Sequence, residues 1–185
     1  MRSHFLSALY AGLLLLTPPL LKADLIAVGF TSVSVGTSFD LPVTISGTSD
    51  LYAFQFDVSY DPSILQLNSI LEGSFLSSAG PTFFIPGTID NTLGIATFTA
   101  DALFGATGAA GTGTLATLDF QAVAGGVSAL DLSNVILLDS NLNDISFTAQ
   151  SGQAVVSAVP EPDSIWLLAS GISLCLFLRK RLSLQ

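Results

Sequence analysis

The side chains able to do chemistry in the middle of this chain are almost all carboxylates. Residues 24–160 contain no Lys, Arg, His or Cys. Nucleophilic triads, Schiff bases and thiol chemistry need those residue types, so this region cannot perform them. Two carboxylates of unlike pKa could still divide acid and base roles, but no Asp is followed by Thr-Gly or Ser-Gly. The sequence therefore predicts a domain that is not an enzyme.

One short loop places oxygen ligands close together. Its residues are Asp139, Asn141, Asn143 and Asp144, and carboxylate and amide oxygens are the ligands that Ca²⁺ prefers. The loop lacks the Gly and the distal Glu of an EF-hand, and a pair of Asx turns would use the same residues. Two interpretations stay open: a calcium site, which is the only cofactor the sequence suggests, and a simple turn.

Charge is distributed unevenly along the chain. The net charge is −9, and the five basic residues lie near the two ends, at Arg2, Lys22 and 179–181. A middle region whose charges are all negative repels phosphate backbones, which excludes nucleic-acid binding. A cation or a basic protein partner is the natural counterpart.

Residues 1–23 have the order of a secretory signal peptide. A basic start at Arg2 is followed by an apolar stretch over 5–16, a Pro pair and the small residue Ala23. The apolar stretch is short for a membrane span and suits a signal peptide better. We expect cleavage between Ala23 and Asp24.

Residues 158–185 combine a motif, a short apolar segment and a basic end. The motif is Pro160-Glu161-Pro162, the apolar segment covers about 164–178, and the end is Arg179-Lys180-Arg181. A helix over 165–178 would be about 21 Å long, against about 30 Å of hydrocarbon, so it makes a short transmembrane helix. The basic end favours the cytoplasmic side, which places the domain across the membrane.

This tail resembles the PEP-CTERM sorting signal of Gram-negative bacteria. The resemblance implies processing by an exosortase, a membrane cysteine protease-transpeptidase that cuts near the motif. The protein is thus expected to be exported through the inner membrane to the cell envelope, the surface or the extracellular matrix. An ordinary tail anchor is the alternative.

The middle region, residues 24–157, has the pattern of an all-β domain. Residues 39–45 and 52–60 alternate apolar and polar side chains, which is typical of half-buried strands. In the second segment Tyr52 and Tyr60 fall on the core side, and Ala53, Gln55 and Asp57 fall on the outer side. Further strands are predicted over 64–70, 82–89, 95–103, 114–123, 128–138 and 145–156. Many short strands at near-even spacing predict a β-sandwich, without a sizeable helix.

The same region resembles the cohesin family. The resemblance is carried by LYAFQFDVSYDPSIL at 51–65, EGSF at 72–75, GTLATLDF at 113–120 and DSNL at 139–142. It implies a jelly-roll β-sandwich that binds a dockerin module. In cohesins, outward polar residues of the aromatic strand, often Asn and Asp, contact the partner. This chain departs from that pattern, because Ala53 and Gln55 stand at the corresponding positions. Together with Asp57 they are the partner-binding residues that the resemblance implies.

The sequence therefore predicts an exported, non-catalytic binding module that mediates protein-protein interaction. The alternative is a polysaccharide-binding module built on the same kind of sandwich. Sugar sites stack their ligands on exposed aromatic rings, whereas the only Trp, Trp166, lies in the tail. Both Tyr52 and Tyr60 are in phase with the core, which favours the protein partner.

Overall fold

The computed structural model describes residues 23–105 and 107–158. Within these ranges the chain forms eleven strands and one short helix. Residues 1–22 of the predicted signal peptide and residues 159–185 of the predicted sorting tail lie outside them. Among the described residues, no helix is long and apolar enough to cross a membrane. In chain order the elements are β1 (Asp24–Val28), β2 (Phe30–Ser34), β3 (Ser38–Leu51), β4 (Ala53–Ser59), β5 (Leu65–Glu72), α1 (Ser74–Ser77), β6 (Thr88–Asp90), β7 (Ile95–Ala102), β8 (Ala109–Ala122), β9 (Gly126–Leu138), β10 (Phe147–Gln150) and β11 (Gly152–Ser157).

The strands form two sheets that pack face to face. The five-stranded sheet has the order β10-β1-β3-β8-β5, and the six-stranded sheet has the order β2-β11-β9-β4-β7-β6. Most pairs are antiparallel, while β1 pairs with β10 and β2 pairs with β11 in parallel. The predicted β-sandwich is confirmed.

Side chains from both sheets form one apolar core. Phe56 of the six-stranded sheet and Phe120 of the five-stranded sheet are fully buried in it. Tyr60 is buried and packs edge to face against Phe120, with 5.2 Å between the ring centroids, and Tyr52 packs against the core from its margin. The alternation in 52–60 therefore predicted the core side of β4 correctly, and both tyrosines pack against the core.

Two predicted strands are not continuous strands in the structure, and β3 and β8 are longer than predicted. Residues 145–156 do not form one strand, because the chain passes from β10 in one sheet to β11 in the other at Ser151. The segment 82–89 is strand only from Thr88, with isolated bridges at Thr82 and Ile85 before it. Pro86 has no N–H to donate, and Gly87 has a positive φ of 81°, so a regular ladder cannot run through them.

The outer edge of β5 is closed by a side chain. Asn91, in the turn between β6 and β7, accepts a hydrogen bond from the Leu67 N–H at 2.8 Å and donates one to the Leu67 carbonyl at 3.0 Å. Its oxygen also accepts the Tyr60 hydroxyl at 2.8 Å. Asn91 thereby links the six-stranded sheet to the edge of the five-stranded one.

Candidate binding face

The outer face of the six-stranded sheet exposes apolar side chains. We call the part formed by β9, β4 and β7 the binding face. Phe98 of β7 and Ile136 of β9 are exposed on it. Between them lie Ala53 and Gln55 of β4, both half-buried, with Gln55 paired to Ile136 on one side and to Ala100 on the other. This centre carries no exposed charge.

Carboxylates lie towards the ends of this face. Asp131 is exposed where β9 pairs with Ser59 of β4. Beyond the other end of β9, the loop that begins at Asp139 carries Asp144, which is exposed. An apolar centre between acidic ends suits a protein partner with an apolar contact surface and basic residues around it.

The outer face of the five-stranded sheet is different in character. Asp40 of β3 and Asp119 of β8 stand directly opposite each other there. Like charges in facing positions repel, so this face disfavours the approach of an apolar surface. Leu71, in β5, is the large apolar residue that this sheet exposes.

Two β-bulges flank β4 on the binding face. Between Phe56 and Val58, two steps along β4 match three steps along β7, from Thr99 to Ala96. Between Gln55 and Asp57, two steps along β4 match three along β9, from Ile136 to Ser133. Each bulge contains a residue other than Gly with positive φ, Phe98 at 60° in β7 and Asn134 at 49° in β9.

Asp57 lies between the two bulges and is hydrogen bonded to both. One carboxylate oxygen accepts the Phe98 backbone N–H at 2.7 Å, and the other accepts the Asn134 side-chain amide at 2.6 Å. The Asp57 side chain is only 7% exposed. Its predicted exposure as a partner-contacting residue is corrected, because the bulges bring both neighbouring strands over its carboxylate.

The bulge in β7 reverses the side-chain phase of that strand. Ala96 points into the core before it, and Thr99 and Asp101 point into the core after it. Strict alternation from Ala96 would bury Phe98 and expose Asp101. The extra residue in the bulge instead exposes Phe98 and buries Asp101, since a shift by one position turns every later side chain to the other face.

Asp101 is consequently a carboxylate inside the sandwich, 2% exposed. One of its oxygens accepts the Ala102 N–H at 2.8 Å, and the other has no partner among the described residues. Burial, and to a smaller extent the nearby carboxylate of Glu72, together raise the pKa of Asp101 to about 6. Its carboxyl group belongs to the core and not to the binding face.

In the predicted calcium loop, the carboxylate of Asp139 is hydrogen bonded within the loop itself. Asp139 accepts the backbone N–H groups of Asn141 and Asn143 and the side-chain amide of Asn143. These hydrogen bonds, led by that of the Asn143 backbone, lower the pKa of Asp139. Asp144 forms an isolated bridge with Leu138, and no group of three acidic, His or Cys residues that could hold a metal occurs in the described ranges. The geometry favours the turn, and calcium binding stays a prediction.

A second aspartate ties this loop to its neighbour. Asp50, at the end of β3, accepts the Ser140 hydroxyl at 2.7 Å and the Gly108 N–H at 2.8 Å. The Ser140 hydroxyl, more than any other contact, lowers the pKa of Asp50. Sequence reasoning gave Asp50 no role. In the structure its carboxylate joins the loop at Ser140 to the loop at Gly108 by hydrogen bonds.

Exposed aromatic rings do occur beside the binding face. Phe83 and Phe104 flank β7 and are 60% and 64% exposed, with centroids 6.5 Å apart and an interplanar angle of 69°. Two rings set edge to face do not form the flat platform on which successive sugars stack. They extend the apolar surface of the face instead.

The cohesin domain family model matches residues 26–156. The chain belongs to the cohesin family. Cohesins are non-catalytic modules of protein-protein interaction, so this domain belongs to a family of binding modules. Comparison with curated proteins gave no match.

Solved cohesin structures have the same fold as this cohesin. CaCohA2 from Clostridium acetobutylicum is 26% identical with a TM-score of 0.59, over 74% of this chain and 92% of that one. A non-cellulosomal cohesin from the archaeon Archaeoglobus fulgidus is 17% identical with a TM-score of 0.60, over 77% and 96%. The third ScaC cohesin of Acetivibrio cellulolyticus, solved with the ScaB dockerin, is 19% identical with a TM-score of 0.61, over 72% and 98%.

Proposed function

We propose that this cohesin binds a dockerin-like protein module through its binding face. The observation that carries the proposal is the contrast between the two sheets. One outer face has an apolar centre with acidic ends, and the other sets Asp40 against Asp119. Burial of the apolar centre drives association, while the acidic ends steer a basic partner.

Support for the partner class comes from the solved relatives. Several were crystallised as complexes with dockerins, including those of Acetivibrio cellulolyticus and Clostridium thermocellum. Ala53 and Gln55 lie on the outer side of β4, in its first half, and both are half-buried. They are available to contact a partner, whereas Asp57 is not.

We predict that Gln55→Arg weakens partner binding at least tenfold. A long cationic side chain at the centre of the face would have to be desolvated against an apolar, basic partner. The measurement is calorimetric titration of the domain with dockerin modules encoded by the source organism, with the ScaB dockerin of Acetivibrio cellulolyticus for comparison.

The matched control is Gln121→Arg. Gln121 is half-buried on the outer face of the five-stranded sheet, so the same substitution there should leave the affinity within about twofold. A panel of envelope polysaccharides is titrated in parallel. Saturable glycan binding that Gln55→Arg does not change would instead support the polysaccharide-binding alternative.

We also propose that the domain is exported and then sorted by its C-terminal tail. Asp24 is the first residue of β1 and Ala23 precedes it in an exposed position, so cleavage between them would leave the sandwich whole. Pro160, Glu161, Pro162 and the basic residues Arg179, Lys180 and Arg181 would then direct the tail to an exosortase at the inner membrane of a Gram-negative bacterium.

Glu161→Ala should leave full-length precursor in the membrane, because the motif is the feature that distinguishes a sorting signal from an ordinary anchor. Intact-mass measurement of envelope-purified protein distinguishes precursor from processed forms. If processing of the variant is unchanged, the tail is a plain anchor or is cut by another protease.

A further inference from the structure

Three residues with positive φ lie on or beside the binding face. They are Gly87, beside β7, with φ of 81°, Phe98 at 60° and Asn134 at 49°, with Asp57 between the last two. Gly and Asn adopt positive φ readily. Phe98 is the exception, because an aromatic L-residue pays a penalty of about 1 kcal/mol or more in this region.

Phe98, the residue with the strained backbone, is also exposed on the binding face. Phe98 is 51% exposed in the middle of an otherwise ordered strand, so core packing does not account for its conformation. A strained conformation persists only where the surroundings hold it. Here the holding contact is the 2.7 Å hydrogen bond from the Phe98 N–H to Asp57, whose other oxygen is fixed by Asn134.

We propose that Phe98 is the apolar anchor by which the binding face engages its partner, and that Asp57 is the residue that positions it. This inference rests on the proposed function and deepens it. Asp57 does not touch the partner, since its carboxylate is covered by the two bulges. It holds Phe98 in a preset, exposed orientation, so the partner does not have to order the ring on binding. The partner accordingly presents an apolar pocket that receives one aromatic ring.

The first test measures the strain without any partner. At positive φ, Gly is favoured over Ala, so the Phe98→Gly variant should melt about 3 °C above the Phe98→Ala variant, both lacking the ring. Ala100, two positions along the same strand and the same face, has no positive φ. There Ala100→Gly should lower the melting temperature by a similar amount. The same sign at both positions would overturn the strain argument.

The second test measures binding of the dockerin module whose affinity for the domain is reduced by Gln55→Arg. Both Phe98→Ala and Phe98→Gly should weaken it at least tenfold, as expected for an anchor residue. Asp57→Asn keeps one acceptor but sets an amide against the Asn134 amide, and it should weaken binding about fivefold. In the Phe98→Ala background, Asp57→Asn should have no further effect, because it acts through the ring.

The outcomes separate the two proposals. Loss of binding in Gln55→Arg with full binding in Phe98→Ala overturns the anchor and leaves the proposed function standing. Equal effects of Asp57→Asn with and without Phe98 show a general structural role and overturn the positioning. If none of the dockerin modules binds, the proposed function and the anchor fall together, while the melting comparison still decides whether the backbone at Phe98 is strained.

Discussion

Asp101→Asn is expected to make the domain more stable at pH 7 by about 1–3 kcal/mol. Its pKa is raised to about 6 in the folded protein, against 3.8 as the ordinary value. The folded state therefore binds the proton more tightly than the unfolded state. The stability linked to this group is fully present below about pH 4, falls as the pH rises towards 6 and is lost above it. One unit of pKa corresponds to about 1.4 kcal/mol, which sets the upper limit.

Asn at this position can still accept the Ala102 N–H through its side-chain oxygen. Urea unfolding of wild type and variant between pH 4 and pH 8 measures the effect. The wild type should lose stability across this interval relative to the variant. Asp144→Asn, at an exposed position, serves as the control and should change stability by less than about 0.5 kcal/mol. Parallel pH curves for wild type and Asp101→Asn would contradict the prediction.

Asn91→Ala is expected to destabilise the domain by about 3 kcal/mol or more. The substitution removes three hydrogen bonds and leaves the backbone N–H and carbonyl of Leu67 and the Tyr60 hydroxyl without partners. Leu67 and Tyr60 are both buried, and each buried polar group that loses its partner costs about 1–3 kcal/mol. The sum is large for a domain of this size.

Asn68→Ala is the matched control for this prediction. Asn68 lies on β5 next to Leu67 but is exposed, and its side-chain hydrogen bond to Asp119 is long at 3.4 Å. Tyr60→Phe isolates the hydroxyl contact and should cost about 1 kcal/mol. Denaturant unfolding measures all three variants. A loss in Asn91→Ala no larger than that in Asn68→Ala would mean that water replaces the amide without penalty.

The sequence predicted those parts of the fold that depend on local pattern. Alternation in 52–60 placed Phe54, Phe56 and Val58 in the core, where they are. It could not predict the bulges, because Phe98 is an unremarkable residue in strand context and its positive φ depends on Asp57, 41 positions away. Asn134 offered a weak signal, since Asn tolerates this conformation.

The candidate site was predicted only in part, because alternation along one strand does not reveal the bulges in its neighbours. Ala53 and Gln55 lie on the outer face as alternation indicated, while Asp57, next in the series, is covered by its neighbours. Phe98 was missed, and Asp101 was given no buried position. Both errors follow from the phase change at one bulge, which arises from pairing between strands and not from the sequence of either strand alone.

The Asn91 amide also affects whether another chain can add a strand to the edge of β5. An edge strand with free N–H and carbonyl groups can template the addition of a strand from another chain. At Leu67 both groups are occupied by a side-chain amide that reproduces the hydrogen-bonding pattern of a neighbouring peptide. The β-bulge between Leu67 and Ser69 and the charge of Glu72 further along interrupt the rest of the edge. This arrangement therefore guards the edge against aggregation as well as against unfolding.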